Sequence, residues 1–157
     1  MARWGRADYE KFRKLQQNIA KLAEATDMED FCRECCKALA ARLLALVIPA
    51  TPVGKYPKAT GKNGGTLRRG WGVDTASKAK AYVASLPIKK VGSNFEIEII
   101  NPVEYASYVE FGHRTRDGAG WVEGRYMLTT SEEALKTVAP RILEKMLLER
   151  FKEAFNV

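Results

Sequence analysis

The chain has 157 residues, 46% of them hydrophobic and 29% charged, with a formal net charge of +7. That length suits one domain with a core of its own, and the balance argues against wholesale disorder, a collagen-like repeat and a disulfide-dense miniprotein. The longest mainly apolar run, Ala38 to Ala50, is broken by Arg42 and falls short of the ~20 residues a bilayer span needs; with no apolar stretch behind Met1 to Arg6, neither a secretion signal nor a membrane partner is expected.

The charge is unevenly spread. Residues 1–34 are neutral, residues 35–93 carry +10 and residues 94–157 carry −3. Such a division suits a polyanionic partner such as nucleic acid. It equally suits self-association, with the basic part of one copy against the acidic part of the next.

A first helical pattern opens at Asp8, with Tyr9, Phe12, Leu15, Ile19, Leu22 and Ala23 at three- and four-residue spacing. Thr26 and Glu29 have the spacing of a capping box, which predicts a second helix up to Ile48, stopped by Pro49 and Pro52. Residues 49–66 read as a long, flexible, basic loop rich in Gly and Pro. Three strands are expected over residues 67–100: Leu67–Asp74, Ala81–Ile88 and, most clearly, Phe95–Ile100, with Phe95, Ile97 and Ile99 inward and Glu96 and Glu98 outward. Asn101 before Pro102 predicts the cap of a short helix over 102–111, ended by Gly112. A Gly-rich loop over 112–128 leads to a C-terminal helix over 130–155, with Pro140 expected to kink or split it. The class is α+β in a single domain over 1–157: a small antiparallel sheet of about three strands flanked by N-terminal helices, a short middle helix and a C-terminal helix.

Few residues carry chemistry. Cys32, Cys35 and Cys36 include one CxxC, but there is no second pair and His113 is the only histidine, so buried apolar thiols in a reducing compartment are the expectation. His113 sits in a Gly/Arg loop with no nucleophile elbow in the chain, which favours a surface role over a catalytic one. The glycine loops match neither the phosphate-binding nor the dinucleotide pattern. Glu96 and Glu98 read as the wet face of a strand. Lys55, Lys58, Lys62, Arg68 and Arg69, interleaved with Tyr56 and Trp71, form the strongest compositional signal, and basic side chains among aromatics can track a nucleic-acid strand.

Three segments carry a family resemblance. They are Thr51-Pro52-Val53 followed by Thr60-Gly61 and Gly65-Thr66-Leu67-Arg68-Arg69-Gly70-Trp71; Asn101 to Arg114 with its core Tyr105-Ala-Ser-Tyr108-Val-Glu110-Phe111-Gly112; and Gly120 to Leu128. In this order they resemble the head–tail joining proteins of tailed phages, also described as neck, tail-completion or minor tail-component proteins. Many members have a short Pro-Val-Asp-Thr-Gly link, where Gly54 to Ala59 intervene here. The resemblance implies a non-enzymatic virion protein without metal or cofactor, assembled in the host cytoplasm as a ring, six- or twelvefold, between portal and tail, with DNA passing through the channel. A basic nucleic-acid-binding module without enzymatic activity is the alternative.

Within that reading Tyr105, Tyr108, Glu110 and Phe111 anchor the short helix, with Tyr105 and Phe111 expected in the core. Arg68, Arg69, Trp71, Tyr108, Glu110, His113, Arg114, Arg116, Trp121 and Arg125 are candidate subunit or partner contacts, since Arg and Trp are enriched at interface hot spots. Lys55, Lys58 and Lys62 are candidates to face a DNA channel or an acidic partner.

Overall fold

A computed structural model describes residues 28–155 together with Glu10, Arg13, Lys14, Gln16, Gln17, Ile19 and Ala20, which are helical and exposed. The remaining positions of the first helical pattern and Thr26 of the capping box lie outside the described residues.

Helix α1 (Met28–Ala50) carries Glu29 and Asp30 in its first turn, where carboxylates suit the helix dipole. Ala40, Leu44, Val47 and Ile48 are buried along one face, and Pro49 sits in the last turn rather than before it. Thr51 closes the helix: its N–H and its hydroxyl both donate to the Val47 carbonyl, at 2.9 and 2.7 Å.

Two of the three expected strands are helices. Residues Thr66–Arg69 form α2, after a left-handed Gly65 (φ 94°) turns the chain. Leu67 and Trp71 both reach the core, and a four-residue spacing is one face of a helix. The alternation of Trp71 and Val73 suggested a strand, but the Leu67–Trp71 spacing decides. Ala79–Ser85 form α3, and again the buried pair, Ala79 and Val83, is four residues apart. Single 3-10 turns occur at Lys58–Thr60 and Ala76–Lys78.

Strand β1 (Lys89–Val91) pairs antiparallel with β2 (Asn94–Glu96), with Lys89 opposite Glu96 across a turn at Gly92. The ladder is shorter than the expected Phe95–Ile100 strand, yet exposure keeps alternating through it: Phe95, Ile97 and Ile99 are half-buried, and Glu96, Glu98 and Ile100 are exposed. Helix α4 (Ala106–Phe111) starts four residues later than Asn101 suggested. Strand β3 (Gly112–Arg114) follows at once and pairs antiparallel with β4 (Trp121–Glu123), so the expected loop is a hairpin. The three-stranded sheet is therefore replaced by two separate two-stranded ones, and the α+β class stands.

Helix α5 (Met127–Phe155) begins three residues before the expected 130 and is not split at Pro140. Pro140 is exposed, so water can serve the carbonyl that its ring leaves unpaired. Helices α3 and α5 both pack on α1. The core joins Leu44, Val47 and Ile48 to Leu67, Trp71, Val83 and Met127.

Candidate functional site

The segments that carry the resemblance meet through polar joints. The first is built on Thr51. Its hydroxyl accepts from Trp71 Nε1 at 2.8 Å, in the core. Its carbonyl, just past the end of α1, accepts from Arg68 Nε and Nη2 at 3.2 and 2.7 Å. A guanidinium at a helix C-terminus satisfies a leftover carbonyl and complements the dipole. Trp71, 3% exposed, and half-buried Arg68 are thus committed to the fold and are not free contact residues.

The second joint is Asn101. It does not cap α4, whose cap position is Tyr105. Its Nδ2 donates instead to the Leu67 carbonyl at 2.8 Å, and its Oδ1 accepts from Val103 N–H at 3.3 Å. Gly70 makes the approach possible, because a Cβ there would lie 2.1 Å from Asn101 Oδ1.

The third joint is Glu110, 5% exposed. Its carboxylate accepts from the Leu128 N–H, the Thr129 N–H and the Thr129 hydroxyl, at 2.9, 2.9 and 2.8 Å. These backbone donors are orphans of the first turn of α5, so Glu110 caps a helix that starts seventeen positions further along the chain. The same crossing is closed by backbone. Arg125 N–H donates to the Val109 carbonyl and Tyr126 N–H to the Glu110 carbonyl, at 2.7 and 3.0 Å. Gly112 (φ 84°) and Gly124 fit here because a Cβ on either would lie 2.4 Å from a backbone oxygen, that of Val122 or of Glu110. Tyr126 adopts φ 49°, the one non-glycine with positive φ among the described residues, and hands the chain to buried Met127.

The outer side of the same region is aromatic. Tyr108 is 58%, Phe111 60% and Trp121 55% exposed, and Tyr105 and Tyr126 are exposed as well. The expectation of Tyr105 and Phe111 in the core is therefore overturned. On α4 the inward row is Ala106, Val109 and Glu110, and the aromatics fall on the remaining faces. Glu110 in turn is no surface contact. Tyr108 meets the His113 ring with centroids 5.6 Å apart, and His113 Nδ1 is buried without a hydrogen-bond partner. These two rings, Tyr56 of the basic loop and Arg125 line a cleft of about 400 Å³ between residues 52–67, α4 and the second hairpin.

The other cations stand in solvent. Lys55, Lys58 and Lys62 are exposed on the long loop, Arg114 and Arg116 on the hairpin, and Arg69 reaches only the Gly64 carbonyl, at 3.3 Å. Burial pushes the Cys35 and Cys36 thiols up from their ordinary range, and the three cysteines are unpaired. That leaves Cys35 and Cys36 as protonated, half-buried side chains at neutral pH rather than activated nucleophiles. Glu96 and Glu98 are exposed on one side of their segment. Among the described residues no three His, Cys, Asp or Glu side chains group as metal ligands, and no helix is long and apolar enough to cross a membrane.

Sequence reasoning passed over Thr51 and Gly124 as individual residues. A lone Thr closing an apolar helix before a proline, and a glycine three positions before a helix start, were the available signals.

The class so defined is an α+β protein whose motif segments lock the fold on one side and display aromatic rings on the other. A family model described as "Bacteriophage HK97-gp10, putative tail-component" matches residues 13–112, and the chain belongs to this family of phage tail components. Among curated proteins and solved structures none matches the chain.

Proposed function

We propose that this chain joins head or portal components to the tail as a ring-forming protein of the neck or upper tail, acting by binding alone. The observation that carries the reading is the exposed aromatic row of Tyr105, Tyr108 and Phe111, displayed by the most specific motif within the family match. Contiguous exposed aromatics on a monomer mark an interaction surface. Here they sit on a helix pinned through Glu110, so the surface is ordered before docking and little ordering entropy is lost on binding. Trp121 on the neighbouring hairpin extends it.

Electron cryo-microscopy of purified particles tests the reading. Density for a ring at the head–tail junction or tail top, fitted by this chain with its aromatic side toward a neighbouring virion protein, is the expected outcome. Absence of the chain from purified particles overturns it.

Exposed Lys55, Lys58 and Lys62, on a loop without an acidic residue, favour a second reading as a nucleic-acid-binding module. It requires affinity for short duplex DNA that falls steeply as salt rises. The ring reading requires weak or no binding to free DNA, with these lysines toward the channel only in the particle.

A further inference from the structure

Away from the aromatic surface, a groove of about 590 Å³ runs between α1 and α5. Its floor is apolar: Ala38, Ala41 and Ala45 of α1, with Val138 and Ile142 of α5. Its rim is basic: Arg42, Lys80, Arg141 and Lys145, all exposed, with no acidic residue lining it. Arg42, Lys80 and Arg141 have no acidic partner among the described residues, and Lys145 has only an exposed pair with Glu149 at 3.8 Å. Four cations around an apolar floor repel one another, and a carboxylate-bearing segment would relieve that repulsion.

The chain carries such a segment. Residues 95–100 border a separate cleft with Cys36, Leu39 and Leu43 of α1, and Phe95, Ile97 and Ile99 are the half-buried row. The opposite row, Glu96, Glu98 and Ile100, is exposed: two carboxylates and an apolar tip. An extended chain spans ~13 Å from residue 96 to residue 100. The groove offers ~10 Å of helix from Ala38 to Ala45, and the same from Val138 to Lys145. Length, charge and polarity pattern therefore agree.

The two surfaces cannot meet within one molecule. At 3.6 residues per turn, Cys36, Leu39, Ala40 and Leu43 lie on one side of α1 and Ala38, Ala41, Arg42 and Ala45 on the other. The acidic row borders the cleft on the first side, with its side chains exposed, and the basic groove lies on the second. A contact between two different, opposed surfaces is heterologous and repeats from copy to copy, closing into a ring when the rotation allows.

We infer that the Glu96–Glu98–Ile100 row of one copy docks in the Arg42–Lys80–Arg141–Lys145 groove of a second copy. This contact rests on the ring reading and supplies its subunit interface. Glu98 and Glu96 pair with the rim cations, Ile100 covers the alanine floor, and the aromatic surface stays free for other virion proteins. Lys89, opposite Glu96 in the hairpin, offsets part of that carboxylate's charge and leaves Glu98 the stronger partner.

Zero-length carboxylate–amine cross-linking of an equal mixture of ¹⁴N- and ¹⁵N-labelled full-length protein, free and in purified particles, tests it. Mixed-isotope links from Glu96 or Glu98 to Lys80 or Lys145 are expected. Intermolecular links confined to other sites overturn the contact and leave the ring reading standing. No intermolecular link, with the chain absent from particles, overturns both. Charge reversal adds a second arm, since all these positions are exposed. E96K/E98K and R42E/R141E should each weaken self-association about tenfold or more, and mixing the two variants should restore it. Loss without rescue on mixing overturns the pairing.

Discussion

The inner and outer sides of residues 105–112 invert the usual division between apolar interior and polar surface. Inside, a carboxylate is 5% exposed and bound by three donors. Outside, Tyr108 and Phe111 stand about 60% in solvent. A buried charge is tolerated only when hydrogen-bonded, and Glu110 meets that condition by completing the first turn of α5. An exposed large aromatic needs no such compensation, and gains only when a partner covers it. Substitutions on the two sides should therefore separate stability from assembly.

The sharpest break is expected at the backbone crossing. Gly112→Ala forces a left-handed φ on a residue with a Cβ, costing ~1–3 kcal/mol, and drives that Cβ against the Val122 carbonyl. Gly124→Ala meets the Glu110 carbonyl in the same way. Overpacking adds ~1–3 kcal/mol, so urea titration should show either variant losing much of its stability, Gly112→Ala the more. Glu110→Ala comes next. Removing an acceptor for three donors should cost ~2–4 kcal/mol, seen in the same titration. Faster amide exchange at Leu128 and Thr129 should separate loss of the cap from a general loss of packing. Trp71→Phe should cost ~1–2 kcal/mol, since it deletes the donor to Thr51 Oγ1 and little volume.

Tyr108→Ala, Phe111→Ala and Trp121→Ala sharpen the contrast from the other side. Each should move the unfolding free energy by no more than ~0.5 kcal/mol, while incorporation into particles, read by quantitative blotting, falls by about tenfold or more. Equal losses of stability on both sides would abolish the distinction. The smallest effect is expected at the hairpin tip. The Thr115 hydroxyl, and then the Ala119 N–H, hold the exposed Asp117 carboxyl below its ordinary value near 3.8. A depressed folded value means a contribution present above 3.8 and lost as pH falls through the folded value. Asp117→Asn should leave melting at pH 7 nearly unchanged and slightly flatten its decline below pH 3.8.

What was legible follows from the range of the forces involved. Helix α1, the stop at Gly112 and the alternation through Ile99 are set by neighbours within a few residues, and their periodicity or turn chemistry stands in the chain. The two misread strands failed at the same scale: Leu67–Trp71 and Ala79–Val83 have helical spacing, but short apolar runs satisfy either period until packing selects one. The motif around Tyr105–Gly112 was recognisable from its letters, and with it the family. The direction each letter points was not. Glu110 turns inward because Leu128 and Thr129 arrive there, Trp71 because Thr51 does, and Asn101 because Leu67 and Gly70 do. These partners lie 18 to 34 residues apart.

By itself the sequence determined the α+β class, the long helices α1 and α5 and membership of a phage tail-component family. Local propensity, and a motif kept contiguous in the chain, are enough for those. Only the tertiary structure decided which motif residues lock the fold and which face outward. Satisfying a buried donor or acceptor requires a partner brought from elsewhere in the chain, and no local pattern encodes where that partner will be.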